Sequence, residues 1–143
     1  MKSFSRRIHL DANVILRFLR NDDPRQSPAA AKLFQKAARG TETLFISTLT
    51  IGEVFYAFRA SYKLSRPDAA GKILPLVRAG VAEFEREDCL IAALQRVISE
   101  NVDFGDACLA ATAAHSKELV ASFDRDFLRF KDIQIYNLED TSI

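Results

Sequence analysis

Hydrophobic positions follow two alternating patterns along the chain: short apolar runs, and longer stretches with helical spacing. The first short run, Ile8–Leu10, precedes a stretch from Val14 to Arg20 in which apolar residues repeat at the helical period. The same criterion predicts further strands at 44–47, 81–84, 119–123 and 133–136. Helices are predicted between them at 28–38, 48–63, 67–78, 88–99 and 104–115, with a helical turn at 125–130.

Strands that alternate with helices usually pair in parallel, because each connecting helix returns the chain to the same end of the sheet. The pattern therefore predicts an α/β fold, a three-layer α/β/α sandwich around a central parallel sheet. The 143 residues, of which 48% are hydrophobic, fit a single domain spanning residues 1–143.

Acidic residues occupy the positions that such a sheet would bring together at one edge. Asp11 lies just past the first strand, and Asp124 lies just past the fourth. Glu53 falls near the start of the helix after the second strand, and Asp106 opens the helix that leads into the fourth. Open α/β folds keep their ligand crevice at the carboxyl ends of the strands, so we expect these four side chains to converge there.

Carboxylates held close together repel one another, and a divalent cation relieves that repulsion. Oxygen donors suit Mg²⁺ or Mn²⁺ better than zinc, and His9 and His115 do not form a ligand-spaced pair. Such an ion lowers the pKa of a bound water and orients a phosphodiester for in-line attack. The pattern therefore predicts hydrolytic nuclease chemistry, with Asp11, Glu53, Asp106 and Asp124 as catalytic residues and metal ligands.

Helix capping offers a structural explanation for each acid. Asp11 and Asp124 have the residue type of an N-cap. Thr50–Glu53 matches the capping-box pattern, and Asp103–Asp106 resembles an acidic version of it. Capping is the commoner explanation for any one acid, but it does not require an acid at all four positions, where Ser, Thr or Asn would serve.

Polar residues beside these acids are candidates for supporting roles. Asn13 is predicted to cap the first helix in preference to bonding Asp11. Ser122 is a candidate to orient Asp124 or a metal-bound water. For Asp103, helix capping and a supporting role at the metal are equally favoured interpretations. Asp126 is interpreted as a solvated residue or a secondary ligand.

Charge and the N-terminal residues bear on partners and compartment. The formal net charge of +1 shows no overall basic excess, so locally placed Lys and Arg would have to attract a nucleic acid. Met1–Arg7 has basic residues but no long apolar run of the kind that export or membrane spanning needs. The sequence therefore predicts a cytoplasmic protein without membrane association.

Four segments together resemble the PIN-domain family, specifically the VapC-like toxins of bacterial toxin-antitoxin pairs. These segments are Leu10–Leu16, Ile46–Val54, Asp103–Ala111 and Ser122–Phe127. The resemblance implies an α/β/α fold, Mg²⁺- or Mn²⁺-dependent cleavage of RNA, a homodimer, and inhibition by a small antitoxin in the active-site groove. The family's acids fall on Asp11, Glu53, Asp106 and Asp124. The family commonly has threonine where this chain has Ser122, which keeps the hydroxyl.

Two other classes of function also place an acid after the first strand. A dehalogenase-like phosphatase would need a general acid at position 13, where this chain has Asn13. A non-catalytic module would use the acidic pocket only to bind a metal ion or a partner protein. Retention of all four acids favours catalysis over such a module.

Overall fold

Five short strands alternate with six α-helices and one 3-10 helix in the computed structural model, which describes residues 6–140. The strands are β1 (Arg7–His9), β2 (Thr43–Ile46), β3 (Glu83–Phe84), β4 (Leu119–Val120) and β5 (Gln134–Ile135). The α-helices are α1 (Ala12–Arg20), α2 (Gln26–Ala38), α3 (Thr48–Ala60), α4 (Arg66–Arg78), α5 (Glu87–Glu100) and α6 (Phe104–Ser116). The 3-10 helix η1 spans Arg125–Arg129. The prediction that the chain has no export signal rests partly on residues Met1–Ser5, which lie outside the described range.

Every strand pairing among the described residues is parallel. β2 lies between β1 and β3, with Ile8 opposite Leu44 and Ile46 opposite Phe84. β4 pairs with β5 in a second sheet, where Val120 lies opposite Ile135. Parallel sheet flanked by helices confirms the predicted α/β fold class.

The fourth strand is shorter than its apolar sequence predicts. The pattern predicts a strand over 119–123, whereas β4 ends at Val120. Beyond it the backbone turns, because the Asp124 N–H donates to Ser122 Oγ at 2.9 Å and so departs from an extended ladder. Phe123, predicted as a strand residue, is therefore left outside the strand.

Buried side chains from strands and helices form one hydrophobic cluster that extends from Leu10 to Phe130. The helix α3 contributes side chains that are at most 1% exposed: Ile51, Val54, Phe55 and Phe58. The helix α6 buries small side chains instead, including Ala107, Ala110 and Ala111. Its first residue, Phe104, packs against Phe55 of α3, with the ring centroids 5.5 Å apart.

Within residues 6–140, no helix combines the length and the apolar character that crossing a bilayer requires.

A bidentate ion pair between Arg96 and Asp132 connects α5 to the segment that leads into β5. Arg96 Nη1 donates to Asp132 Oδ1 at 2.9 Å, and Nη2 bonds the other oxygen. The Arg96 guanidinium also lies 4.8 Å from the centroid of the Phe130 ring. The hydrogen bonds from Arg96 hold the pKa of Asp132 below its usual range.

Asp132→Asn is expected to lower the free energy of unfolding by about 1 kcal/mol near neutral pH, a modest value because Asp132 is well exposed. A lowered folded-state pKa stabilises the protein above the unfolded pKa, and this contribution is lost as pH falls through the folded value. The difference between wild type and variant in urea unfolding should therefore shrink below about pH 4. Glu118→Gln, at an exposed acid with no ion pair among residues 6–140, serves as the control. A pH-independent difference would contradict the assignment.

Candidate active site

Asp11 closes the turn between β1 and α1. Its backbone is extended, and its Oδ1 accepts a hydrogen bond from the Asn13 N–H at 3.0 Å. Asp11 is therefore the N-cap of α1, and the predicted capping role of Asn13 is wrong. Asn13 lies inside the first turn of the helix, where its own N–H is one of the groups that need a cap.

Glu53 is exposed in the second turn of α3 and does not cap this helix. Ser47 occupies the N-cap position, and its Oγ accepts from the Thr50 N–H at 3.2 Å. The capping-box interpretation of Thr50–Glu53 is wrong, because the helix begins before Thr50. Among residues 6–140, Glu53 makes no side-chain hydrogen bond or ion pair, so the local fold does not account for its carboxylate.

Asp103 joins α6 to α3. It is the N-cap of α6, with Oδ2 accepting from the Gly105 N–H at 3.3 Å. The same oxygen accepts from the Tyr56 hydroxyl at 2.8 Å. Partial burial and this hydrogen bond raise the pKa of Tyr56 to about 12, so the hydroxyl remains a donor at neutral pH. Asp103 therefore caps α6 and also fixes its start against α3.

Asp106 lies in the first turn of α6 and is half-buried. Partial burial raises the pKa of its carboxyl group above the ordinary value. The negative charges of three other carboxylates raise this pKa further: Asp103, Asp124 and Asp126. Arg66, whose Nη1 donates to the Asn101 carbonyl at 3.2 Å, opposes them. Asp106 thus lies in a negative field produced by residues from two separate parts of the chain.

The segment after β4 is folded by its own side chains. Ser122 Oγ accepts from the Asp124 N–H at 2.9 Å, and Asp124 Oδ1 accepts from the Asp126 N–H at 2.9 Å. Asp124 is thereby the N-cap of η1. The exposed Asp126 lies 3.8 Å from Arg129 across the 3-10 helix. Ser122 thus bonds the backbone N–H of Asp124, and its role in orienting the carboxylate or a metal-bound water stays a prediction.

The chemistry of this donor set fits a hard divalent cation, since all four candidate acids offer carboxylate oxygens. Partial burial is the largest cause of the raised pKa of Asp106, and the repulsion from neighbouring carboxylates, which such a cation would relieve, adds to it. Within the part of the chain that the structure describes, no three His, Cys, Asp or Glu side chains are gathered closely enough to hold an ion. Metal binding would therefore require the carboxylates to draw closer together.

Two residues at this site are not identified by the sequence analysis. Tyr56 lies three positions after Glu53 in α3, and this spacing places both residues on one side of the helix. The spacing is the only feature of the sequence that points to Tyr56. Phe123 lies between Ser122 and Asp124, but its apolar character made it part of a predicted strand. Its exposure becomes evident only where β4 ends.

The fold and these residues define an α/β protein with a parallel sheet and a candidate acidic site. The sequence profile of the PIN domain matches residues 8–133. Because this match covers most of the 143 residues, the chain belongs to the PIN-domain family. PIN domains are generally nucleases. No curated protein matches the chain closely enough to count as a relative.

Proposed function

We propose that the protein is a metal-dependent endoribonuclease that hydrolyses RNA phosphodiester bonds. The observation that carries this proposal is the shared negative field at Asp106, to which Asp103, Asp124 and Asp126 contribute. Asp124 and Asp126 are distant from Asp106 in the sequence, and their charges disfavour the charged form of Asp106 unless a counter-charge is present. Membership of a family of nucleases supports the same conclusion.

The candidate acids have distinct roles in this proposal. Asp11, Asp106 and Asp124 would hold Mg²⁺ or Mn²⁺, and Glu53 would bind the ion or position the attacking water. A bound divalent ion supplies an activated water and stabilises charge on the phosphodiester oxygens. Asp11 and Asp124 each use one oxygen for a cap hydrogen bond, which fixes the direction of the carboxylate. Glu53 has no partner within residues 6–140 and is available to a water or an ion.

The neighbouring polar residues support these acids in different ways. Ser122 fixes the backbone at Asp124 through its hydroxyl. Asp103 holds the start of α6 and so the position of Asp106. Asn13 donates its backbone N–H to Asp11. Asp126 adds negative charge at Asp106 and is the weakest of the supporting candidates.

The biological setting follows from the resemblance of the motifs to VapC-like toxins. We propose a toxin that acts as a homodimer in the cytoplasm and is inhibited by a small antitoxin protein. The whole chain, residues 1–143, is proposed to form one nuclease domain. Purification of the tagged protein from its native cells, followed by measurement of complex mass, identification of any small bound protein and assay of RNA cleavage, tests the partner.

Cleavage of RNA by the purified protein should depend on a divalent ion. Incubation with a panel of structured RNAs should give discrete products with Mg²⁺ or Mn²⁺ and none with a chelator, with activity restored by excess ion. Retained cleavage under chelation would contradict metal dependence. Metal-dependent binding of RNA without any cleavage would instead indicate a binding module, and a trapped phosphoenzyme would indicate a phosphatase.

A further inference from the structure

Phe123 is exceptional among the aromatic residues at positions 6–140. Of the ten phenylalanines between residues 6 and 140, it alone is exposed, with 85% of its surface accessible, while the others are buried or half-buried. It is also the most exposed of the large hydrophobic residues in that range. A phenyl ring gains nothing from this position in the isolated protein, because burial is what stabilises apolar surface. The core therefore gives no reason for an aromatic residue here.

The position of Phe123 is restrained relative to Asp124. It lies between Ser122, which holds the Asp124 N–H, and Asp124, which caps η1. These two consecutive hydrogen bonds restrain the backbone on the C-terminal side of the ring. The exposed Arg125 follows directly after Asp124. An aromatic ring and a guanidinium group thus flank one candidate metal ligand.

We infer that Phe123 stacks on a nucleobase of single-stranded RNA beside the phosphodiester that is cleaved. This inference rests on the proposed function and specifies its substrate. Every base has a π-face, so stacking on an aromatic ring fixes the strand without selecting a sequence. In a duplex the faces of the bases are covered by their neighbours, whereas in loops and single strands they are available. The ring at position 123 therefore selects unpaired RNA.

Replacing the ring should weaken substrate binding and leave the chemical step nearly unchanged. Phe123→Ala is expected to raise KM for a single-stranded oligoribonucleotide by about 5- to 150-fold with kcat changed little, since stacking acts on bound substrate and transition state alike. Phe123→Trp should retain a KM close to that of wild type. Leu119→Ala, at an exposed apolar residue in β4, is the matched control and should leave KM unchanged.

Contact with the base can be observed directly, because the chain has no tryptophan. In Phe123→Trp the introduced indole is the sole tryptophan, and its fluorescence reports on its surroundings. With chelator present to prevent cleavage, titration with single-stranded oligouridylate should quench this fluorescence in a saturable manner. An abasic oligomer of equal length should quench it much less, and should bind wild type and Phe123→Ala with equal affinity.

The outcomes separate this inference from the proposed function. If wild type cleaves RNA while Phe123→Ala has an unchanged KM, the stacking role is wrong and the nuclease assignment stands. If wild type neither binds nor cleaves RNA, both are wrong. If Phe123→Ala alters the sedimentation of the protein without altering RNA affinity, Phe123 belongs to a protein contact and the stacking role is again overturned.

Discussion

Asp106→Asn should reduce RNA cleavage by at least about 10²-fold, because it removes a charge that the proposed site needs in the transition state and metal-ion catalysis contributes several kcal/mol. The side chain is nearly isosteric and makes no hydrogen bond within residues 6–140, so the free energy of unfolding should not fall. Stability should instead stay the same or increase slightly, since the substitution relieves repulsion from Asp103, Asp124 and Asp126. Initial rates with excess Mg²⁺, together with urea unfolding of the same preparations, measure both effects.

Asp68→Asn is the matched control for this substitution. Asp68 lies at the third position of α4 after the Ser65 cap, as Asp106 lies at the third position of α6 after the Asp103 cap. Its carboxylate is not among the groups that shift the pKa of Asp106. Cleavage by Asp68→Asn should equal that of wild type. An equal loss of cleavage in the two variants would show that a charge at the start of a helix matters only for stability. Asp106 would then have no role in the active site.

Phe55→Ala is expected to lower the free energy of unfolding by about 3–5 kcal/mol, a large part of the 5–15 kcal/mol typical of a domain. Phe55 has no exposed surface, and its ring centroid lies 5.5 Å from that of Phe104 at the start of α6. Truncation leaves a cavity between α3 and α6, where the surrounding helices can collapse only in part. The midpoint of thermal unfolding should fall by roughly 10 °C or more.

The same substitution at Phe123 provides the control for this prediction. Phe123→Ala removes an equal number of atoms from a ring that is 85% exposed, so the free energy of unfolding should change by less than about 0.5 kcal/mol. Phe55→Leu, which keeps much of the volume, should cost less than Phe55→Ala. Similar losses at the two phenylalanines would contradict the burial that the structure assigns to them.

Hydrophobic spacing predicted the order and type of the elements because the core imposes it. The helix predicted over 104–115 is α6, and the one predicted over 67–78 is α4. Errors occur where local polar bonds decide the backbone. Ser122 ends β4 before Phe123, and Ser47 starts α3 before the Thr50–Glu53 pattern. Such bonds depend on the orientation of one hydroxyl group, which hydrophobic periodicity does not encode.

The candidate site was predictable to a lesser extent. Topology gave a reason for Asp106 and Asp124 to share a region, and the pKa of Asp106 responds to Asp124. The convergence of all four acids around one ion stays a prediction. The hydrogen bond from Tyr56 to Asp103 joins residues 47 positions apart. A single sequence, without related sequences, does not indicate that two such distant residues are in contact.

Because the fold does not use the Glu53 carboxylate, substitution of Glu53 is a suitable way to obtain a variant that binds RNA without cleaving it. Since Ser47 caps α3 and Glu53 has no partner among residues 6–140, Glu53→Gln should leave a fully folded protein. If the proposed role of Glu53 holds, that protein retains its RNA after binding and does not release it as products. Ultraviolet cross-linking of this variant in living cells, followed by sequencing of the captured strands, would then identify the RNA target.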